Sequence, residues 1–255
     1  MLSVTPIPAF SDNYIWLLRQ DTSPDVTVVD PGDASPVIDL LEREGLTLGT
    51  ILITHHHHDH TGGLPELIRQ YRPRVIGPQN PDIEGIDERL AEGDECLVMG
   101  RRFEVLEVPG HTLDHIAFFA AGIPPLLFCG DTLFSAGCGR LFEGSPEQMH
   151  TSLSKLAALP NETLVFAAHE YTLANLRFAK AADPHNTAID EYLEECRRAR
   201  EQDKPTLPSN LAREHQVNPF LRANQPGVQQ AAATQGNADS PLSTFATLRA
   251  WKDHF

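Results

Sequence analysis

The chain has 255 residues and a formal charge of −15, from 20 Lys and Arg against 35 Asp and Glu. That balance argues against nucleic acid or an anionic membrane surface as the main partner, because both demand a basic face. An anionic small molecule can still bind where a few cations converge, and the length allows one large domain or one and a half, with a substantial core.

In chain order, Val26-Thr27-Val28-Val29 is a β-branched strand that ends at the turn Asp30-Pro31-Gly32. Ser35-Pro36 opens a helix, with Ser as cap, Pro in the first turn and Gly45 as stop. Residues 51–54 form a strand, 64–71 a helix and 74–76 a strand; 103–108, 116–120 and 126–129 are further strands. Ser145-Pro146-Glu147-Gln148 has capping-box spacing, followed by the apolar stripe Met149, Leu153, Leu156. Residues 164–167 are the last clear strand. After His169 the texture turns helical over 171–182 and 187–202, divided by Asp183-Pro184-His185-Asn186. Lys204 to Ser209 is a Pro-broken linker, 225–239 is polar and poorly patterned, and Ser240-Pro241 opens a short terminal helix. The expectation is an α/β chain, with a strand-rich domain over 1–167 and a helical domain over 168–255.

Cys96, Cys129, Cys138 and Cys196 form no Cys-x-x-Cys pair, and the start of the chain lacks a basic region followed by an apolar run. No apolar stretch approaches the ~20 residues of a membrane span. Free thiols, Cys138 read as structural among them, and a cytoplasmic location are expected.

The richest signal is Thr54-His55-His56-His57-His58-Asp59-His60, between a buried strand and Gly62-Gly63. A purification tag sits at a terminus and does not interleave Asp. On an extended segment alternate side chains share a side, which groups His55, His57 and Asp59 against His56 and His58. His60 follows where the chain turns and can swing back to the first group. Zinc takes His nitrogen and Asp oxygen, and a catalytic zinc keeps one position open for water. His55, His57, Asp59 and His60 are too many for one open tetrahedral zinc, given further candidates downstream, and suit two adjacent metals.

Three more strands end in a metal-type residue: Pro109-Gly110-His111-Thr112, Gly130-Asp131-Thr132 and Ala168-His169-Glu170. Loops at one sheet edge bring such ends together. The count divides as His55, His57 and His111 on one metal and Asp59, His60 and His169 on the other, with Asp131 bridging through its two oxygens. Metals roughly 3.5–4 Å apart would share a water, held as hydroxide at neutral pH. Asp30, Thr54 and Glu170 are candidate partners for the second ring nitrogens. Asp114 and His115 are candidates to shape the loop after His111; His150, His185, His215 and His254 read as ordinary.

The motifs Thr-His-x-His-x-Asp-His at 54–60, Gly-His-Thr at 110–112, Gly-Asp-Thr at 130–132 and His169 resemble the metallo-β-lactamase superfamily. Ser11-Asp12-Asn13-Tyr14, the stretch 133–140 (Leu-Phe-Ser-Ala-Gly-Cys-Gly-Arg), His169-Glu170-Tyr171-Thr172 and Leu248-Arg249-Ala250-Trp251-Lys252 resemble glyoxalase II, the hydroxyacylglutathione hydrolases. The resemblance implies a four-layer αββα sandwich with a C-terminal helical domain. It implies two divalent metals, zinc first, with iron or manganese as alternatives. The implied reaction is hydrolysis of S-D-lactoylglutathione to D-lactate and glutathione by a dinuclear metal-bound hydroxide, in a monomer, with Asp131 bridging and Asp59 orienting the hydroxide. Arg249 and Lys252, three apart on one helical face, and Arg140 hold the acidic end of the tripeptide by that resemblance, and Tyr171 matches a glutathione contact. Phe142 stands where some relatives carry a Tyr hydroxyl. Asp114 stands where the superfamily often has Gly, and Asp tolerates left-handed backbone. The rival readings are a hydrolase of the same fold acting on a β-lactam, lactone or phosphodiester, and a non-catalytic metal-binding protein.

Overall fold

The computed structural model describes residues 2–255. The chain divides into two units: one runs to Glu107 and adds Asp114–Gly130, and the other comprises Val108–Leu113 with Asp131–Phe255.

The first unit begins with an antiparallel pair, β1 (Leu2–Ala9) and β2 (Asn13–Gln20), in the register Leu2↔Gln20 to Ala9↔Asn13. The sequence pattern misses β1 because it carries Pro6 and Pro8, which only an edge strand tolerates. Next come β3 (Asp25–Val29), α1 (Ser35–Glu44), β4 (Thr47–Leu52), α2 (His58–Thr61), α3 (Leu64–Tyr71), β5 (Arg74–Pro78) and β6 (Glu88–Leu90). β2 and β3 pair antiparallel, and β3, β4, β5 and β6 are parallel neighbours in that order. Parallel strands need crossovers, which α1 and α3 supply. Val37 and Leu41 of α1 and Leu64 and Leu67 of α3 bury against Ile7, Leu17, Val28, Ile51 and Val75 of the sheet. Each such side chain contributes about 1.5–3 kcal/mol. Ser35 does not cap α1: Ala34 holds the cap position, and Ser35 N instead donates to Asp33 Oδ1 at 2.9 Å. Gly45 ends the helix at φ 64° as expected. The unit is completed by the antiparallel meander β7 (Glu95–Val98), β8 (Arg101–Glu107), β9 (Ile116–Ala120) and β10 (Leu126–Gly130), whose last two strands are buried throughout.

The second unit holds the short hairpin β11 (Leu133–Phe134) and β12 (Gly137–Cys138), then α4 (Pro146–Ala157), β13 (Leu164–Ala167), α5 (Thr172–Ala182), α6 (Thr187–Arg200), β14 (Ser209–Asn210), α7 (Leu211–Val217), α8 (Pro226–Ala232) and α9 (Pro241–Asp253). β13 and β14 pair antiparallel. The capping box of α4 forms as read: Gln148 N donates to Ser145 Oγ and Ser145 N to Gln148 Oε1. Helix α8 lies in the stretch read as unpatterned, because only Val228 and Ala232 are buried in it. Leu176, Ala179, Ile189, Tyr192, Cys196 and Val217 form the core beneath α5, α6 and α7. All four cysteines are buried and free. Among the described residues no helix is long and apolar enough to cross a membrane.

Candidate metal centre and anion cavity

In the first unit the chain leaves β4 extended through His57 (φ −56°, ψ 144°) and turns helical at His58. The period-2 argument therefore covers His55 and His57. Asp59 lies within α2, beside His60, where a helical turn sets its direction instead. Asn13 Nδ2 donates to Asp59 Oδ2 at 3.1 Å. Gly32 lies so close beneath that a Cβ there would stand 1.9 Å from the Asp59 carbonyl oxygen.

Asp30 organises the cluster. It is buried at φ 53°, in the left-handed region that Asp adopts more readily than most residues. Its Oδ1 accepts from Thr54 N at 2.8 Å; its Oδ2 accepts from Thr54 Oγ1 at 2.7 Å and from His60 Nδ1 at 3.0 Å. With its proton given to Asp30, Thr54 Oγ1 receives the Nδ1–H of His55 at 3.1 Å. These bonds assign both tautomers: His55 and His60 carry a proton on Nδ1 and a lone pair on Nε2. His55 Nε2 stands 3.1 Å from His57 Nδ1, and His60 Nε2 stands 3.5 Å from Asp59 Oδ2. The His115 ring stacks on His55 at 4.5 Å, 14° from parallel. His58 is exposed. Asp114 is not left-handed, so an Asp at this position needs no special backbone tolerance; its carboxylate takes Asn80 Nδ2 at 2.7 Å and faces His56 Nδ1 at 2.9 Å.

In the second unit a single carboxylate faces two imidazoles, one on each oxygen. Asp131 Oδ2 is 3.4 Å from His111 Nε2, and Asp131 Oδ1 is 3.3 Å from His169 Nε2. His111 Nδ1 donates to the Arg140 carbonyl at 2.8 Å, which leaves the lone pair on Nε2. Tyr171 lies flat on the His169 ring, centroids 4.8 Å apart and planes 5° from parallel, and Phe134 stands edge-on to both. Glu170 accepts from Thr206 N at 2.8 Å and from its hydroxyl.

Each unit thus turns an imidazole lone pair toward a carboxylate oxygen, His60 Nε2 toward Asp59 at 3.5 Å and His111 Nε2 toward Asp131 at 3.4 Å. Acceptor against acceptor in a buried place is unfavourable unless a cation lies between them. Borderline nitrogen and hard oxygen donors with fixed tautomers are what divalent metal ions take, and the donor set fits such ions.

His111 and Asp131 also line a cavity of about 380 Å³ whose other walls include Phe134, Arg140, Phe142, Tyr171, Asn175, Arg249 and Lys252. The sequence reading missed Phe134 and Asn175; Asn175 lies one helical turn after Tyr171, and that spacing was the available signal. Arg249 is buried: Nη1 donates to the Cys138 and Gly139 carbonyls at 2.9 and 3.3 Å and Nη2 to Asp253 at 3.0 Å. Arg140 is more than half exposed, with Nε 3.3 Å from Asp253. Lys252 Nζ lies 5.2 Å from the Phe178 ring centroid; burial first, then the Arg249 guanidinium, bring its pKa down to about 8. Burial pushes the Cys138 thiol up, which agrees with a structural role. Phe142 is largely exposed and meets His111 edge-on at 5.2 Å.

Residues 10–169 match the metallo-beta-lactamase superfamily, and residues 170–255 match the hydroxyacylglutathione hydrolase C-terminus. A curated hydroxyacylglutathione hydrolase of Chromohalobacter salexigens is 68% identical over 255 residues, covering all of both chains. Among solved structures, ETHE1 from Myxococcus xanthus superposes with a TM-score of 0.65 at 22% identity, covering 99% of this chain and 98% of that one. TTHA1623, solved in a di-iron-bound form, superposes with a TM-score of 0.56 at 29% identity over 65% of this chain and 91% of its own. The likenesses show an α/β metallo-β-lactamase fold with a helical C-terminal region. The chain belongs to the hydroxyacylglutathione hydrolases of the metallo-β-lactamase superfamily.

Proposed function

We propose that this chain hydrolyses S-D-lactoylglutathione to D-lactate and glutathione, the second step of methylglyoxal detoxification, as a cytoplasmic monomer with two zinc ions. In this reading His55, His57 and His111 would hold one ion, Asp59, His60 and His169 would hold the other, and Asp131 would serve both. Residues 1–167 carry the catalytic domain and 168–255 the helical one. When bound, such ions supply a polarised carbonyl and water of lowered pKa.

One observation carries the reading: His111 and Asp131 stand in the wall of the same cavity as Arg140, Arg249 and Lys252. A substrate held there by its carboxylates presents its acyl end to the metal-type side chains. Lys252 is a point charge whose ammonium lies over the Phe178 ring, and Arg140, largely exposed and held at 3.3 Å by Asp253, meets the anion at the rim. Arg249 adds charge while shaping the floor through the 138–139 carbonyls. Tyr171 holds the His169 ring and offers its own edge to the ligand. Asn13 and α2 fix the Asp59 carboxylate, which takes the role of orienting water. The departing glutathione thiolate needs little help from an acid.

The test is hydrolysis of lactoylglutathione against a β-lactam and a nucleotide diester, with the metal content of the same preparation measured. Preferential turnover of the thioester by protein that holds two metals per chain is expected. A metal-free preparation with full turnover, or preference for the lactam or the diester, overturns the proposal.

A further inference from the structure

Glu214, on α7, has no part in the reaction above, yet its carboxylate is wholly buried and gathers four donors. Oε1 accepts from Ser135 Oγ at 3.1 Å and from Ser209 Oγ; Oε2 accepts from Ala136 N at 2.8 Å and from Asn218 Nδ2 at 3.0 Å. The Tyr192 hydroxyl, 3.0 Å from Ser135 Oγ, donates to it, because the serine proton is given to Glu214. A carboxylate has about four lone-pair sites, so the set is filled. Burial raises the Glu214 pKa against the pull of these donors.

Two of the four donors belong to the turn of the β11–β12 hairpin, and the carbonyls of that turn are gripped as well. Asn175 Nδ2 donates to Ser135 O at 3.0 Å, and Asn218 Nδ2 to Phe134 O at 3.2 Å and Gly137 O at 2.9 Å. Ala136 is held at φ 54°, a conformation that costs an L-residue about 1 kcal/mol or more and persists only where its surroundings enforce it. The hairpin begins two residues after Asp131 and ends two before Arg140. At its base Gly139 N donates to Thr132 O at 3.2 Å, and a Cβ on Gly139 would stand 1.9 Å from the Asp131 carbonyl oxygen. The Arg140 carbonyl is the acceptor that sets the His111 ring. A shift of the turn is therefore transmitted to both residues.

We infer that Glu214, seconded by Asn175 and Asn218, is a positioning residue for the metal ligands of this unit. From the helical region it fixes the 133–138 hairpin, and through it the Asp131 carboxylate and the carbonyl that orients His111. The inference rests on the reading of Asp131 and His111 as ligands. It also explains why an acid is used there: all four neighbours donate, and an amide in either orientation turns its NH2 toward two of them.

The experiment compares wild type, Glu214→Gln and the milder Ser135→Ala, each loaded with zinc alone. The fold is read by circular dichroism and thermal melting, and zinc retention by titration with a chelator. Half of the zinc should leave Glu214→Gln at a chelator concentration roughly tenfold lower than for wild type, the effect typical of groups that orient ligands. Ser135→Ala should shift the same way by less, and kcat for the thioester should fall with KM little changed. If Glu214→Gln does not fold, Ser135→Ala decides alone. Variants that melt lower but release zinc on the wild-type curve overturn the inference, leaving Glu214 a scaffold residue. A wild-type chain that takes up no zinc overturns the metal-centre reading, and this inference with it.

Discussion

Asp30→Asn isolates the group that sets the tautomers of two proposed ligands. The backbone should not move, because Asn accepts the left-handed φ of 53° at least as well as Asp. The better orientation of the new amide puts its oxygen where Oδ2 was, facing Thr54 Oγ1 and His60 Nδ1, and turns its NH2 against Thr54 N–H. One buried backbone donor then loses its acceptor, at about 1–3 kcal/mol. The two surviving bonds lose their charge assistance, which is worth roughly half their strength. A total near 2 kcal/mol lowers the melting temperature of a chain this size by about 4–8 °C. The same change leaves His60 directly, and His55 through Thr54, less basic toward a metal. Loss of such a partner costs about 10–100-fold in metal affinity, or about 1.4–2.7 kcal/mol. Melts of metal-free and zinc-loaded protein separate the two effects. The metal-free melt should fall by the hydrogen-bond share alone, and the stabilisation that zinc adds should shrink by the affinity share. If Asp30→Asn melts lower in both forms by the same amount and keeps wild-type zinc affinity, the tautomer argument for the cluster is wrong.

His55→Ala, Asp131→Ala and His169→Ala should each lose metal by elemental analysis together with nearly all thioesterase turnover; a variant that is depleted of metal and still turns over normally refutes the ligand assignment. Lys252, with its pKa lowered to about 8, is charged below that pH and neutral above it. Binding of an S-blocked glutathione should therefore weaken by up to about tenfold from pH 7 to 9, and a Lys252→Ala variant should show weak binding with that pH step removed. A wild-type step that survives in Lys252→Ala assigns the titration elsewhere. Phe142→Tyr adds a hydroxyl to an exposed ring in the cavity wall, and one new hydrogen bond of about 0.5–1.5 kcal/mol should lower KM by roughly 2- to 12-fold with kcat unchanged. An unchanged KM shows that the hydroxyl finds no partner. Gly32→Ala places a Cβ 1.9 Å from the Asp59 carbonyl oxygen, a backbone atom that cannot step aside. It should cost about 3 kcal/mol in thermal stability, and a melt within 2 °C of wild type would mean that the two segments are looser than they stand.

Where the sequence is readable and where it is silent follows from the range over which each feature is encoded. His55, His111, Asp131 and His169 are legible because each closes a run of apolar strand residues, so a rare residue type stands out against a period its own neighbours set. Asp59 is legible as a candidate but not in its direction, since that depends on a four-residue helix beginning at His58, too short to show a period. Asp30 reads as a strand-ending turn residue beside Pro31 and Gly32, and it is one. Its second role, as a partner of a ligand ring nitrogen, is legible as a candidacy, and its assignment needs Thr54 and His60, 24 and 30 residues further on. Glu214 is the limiting case. It occupies an inward position of α7, with Leu211 and Val217, where a hydrophobic pattern demands an apolar side chain. Only its four donors, between 4 and 79 residues away, make a buried carboxyl group tolerable there. A burial pattern is a local property of the chain, while the satisfaction of a buried polar group is a property of the assembled fold. The residues that touch the chemistry are therefore visible in one dimension, and those that aim them show there only as candidates to be assigned, as Asp30 and Thr54 do, or not at all, as with Glu214.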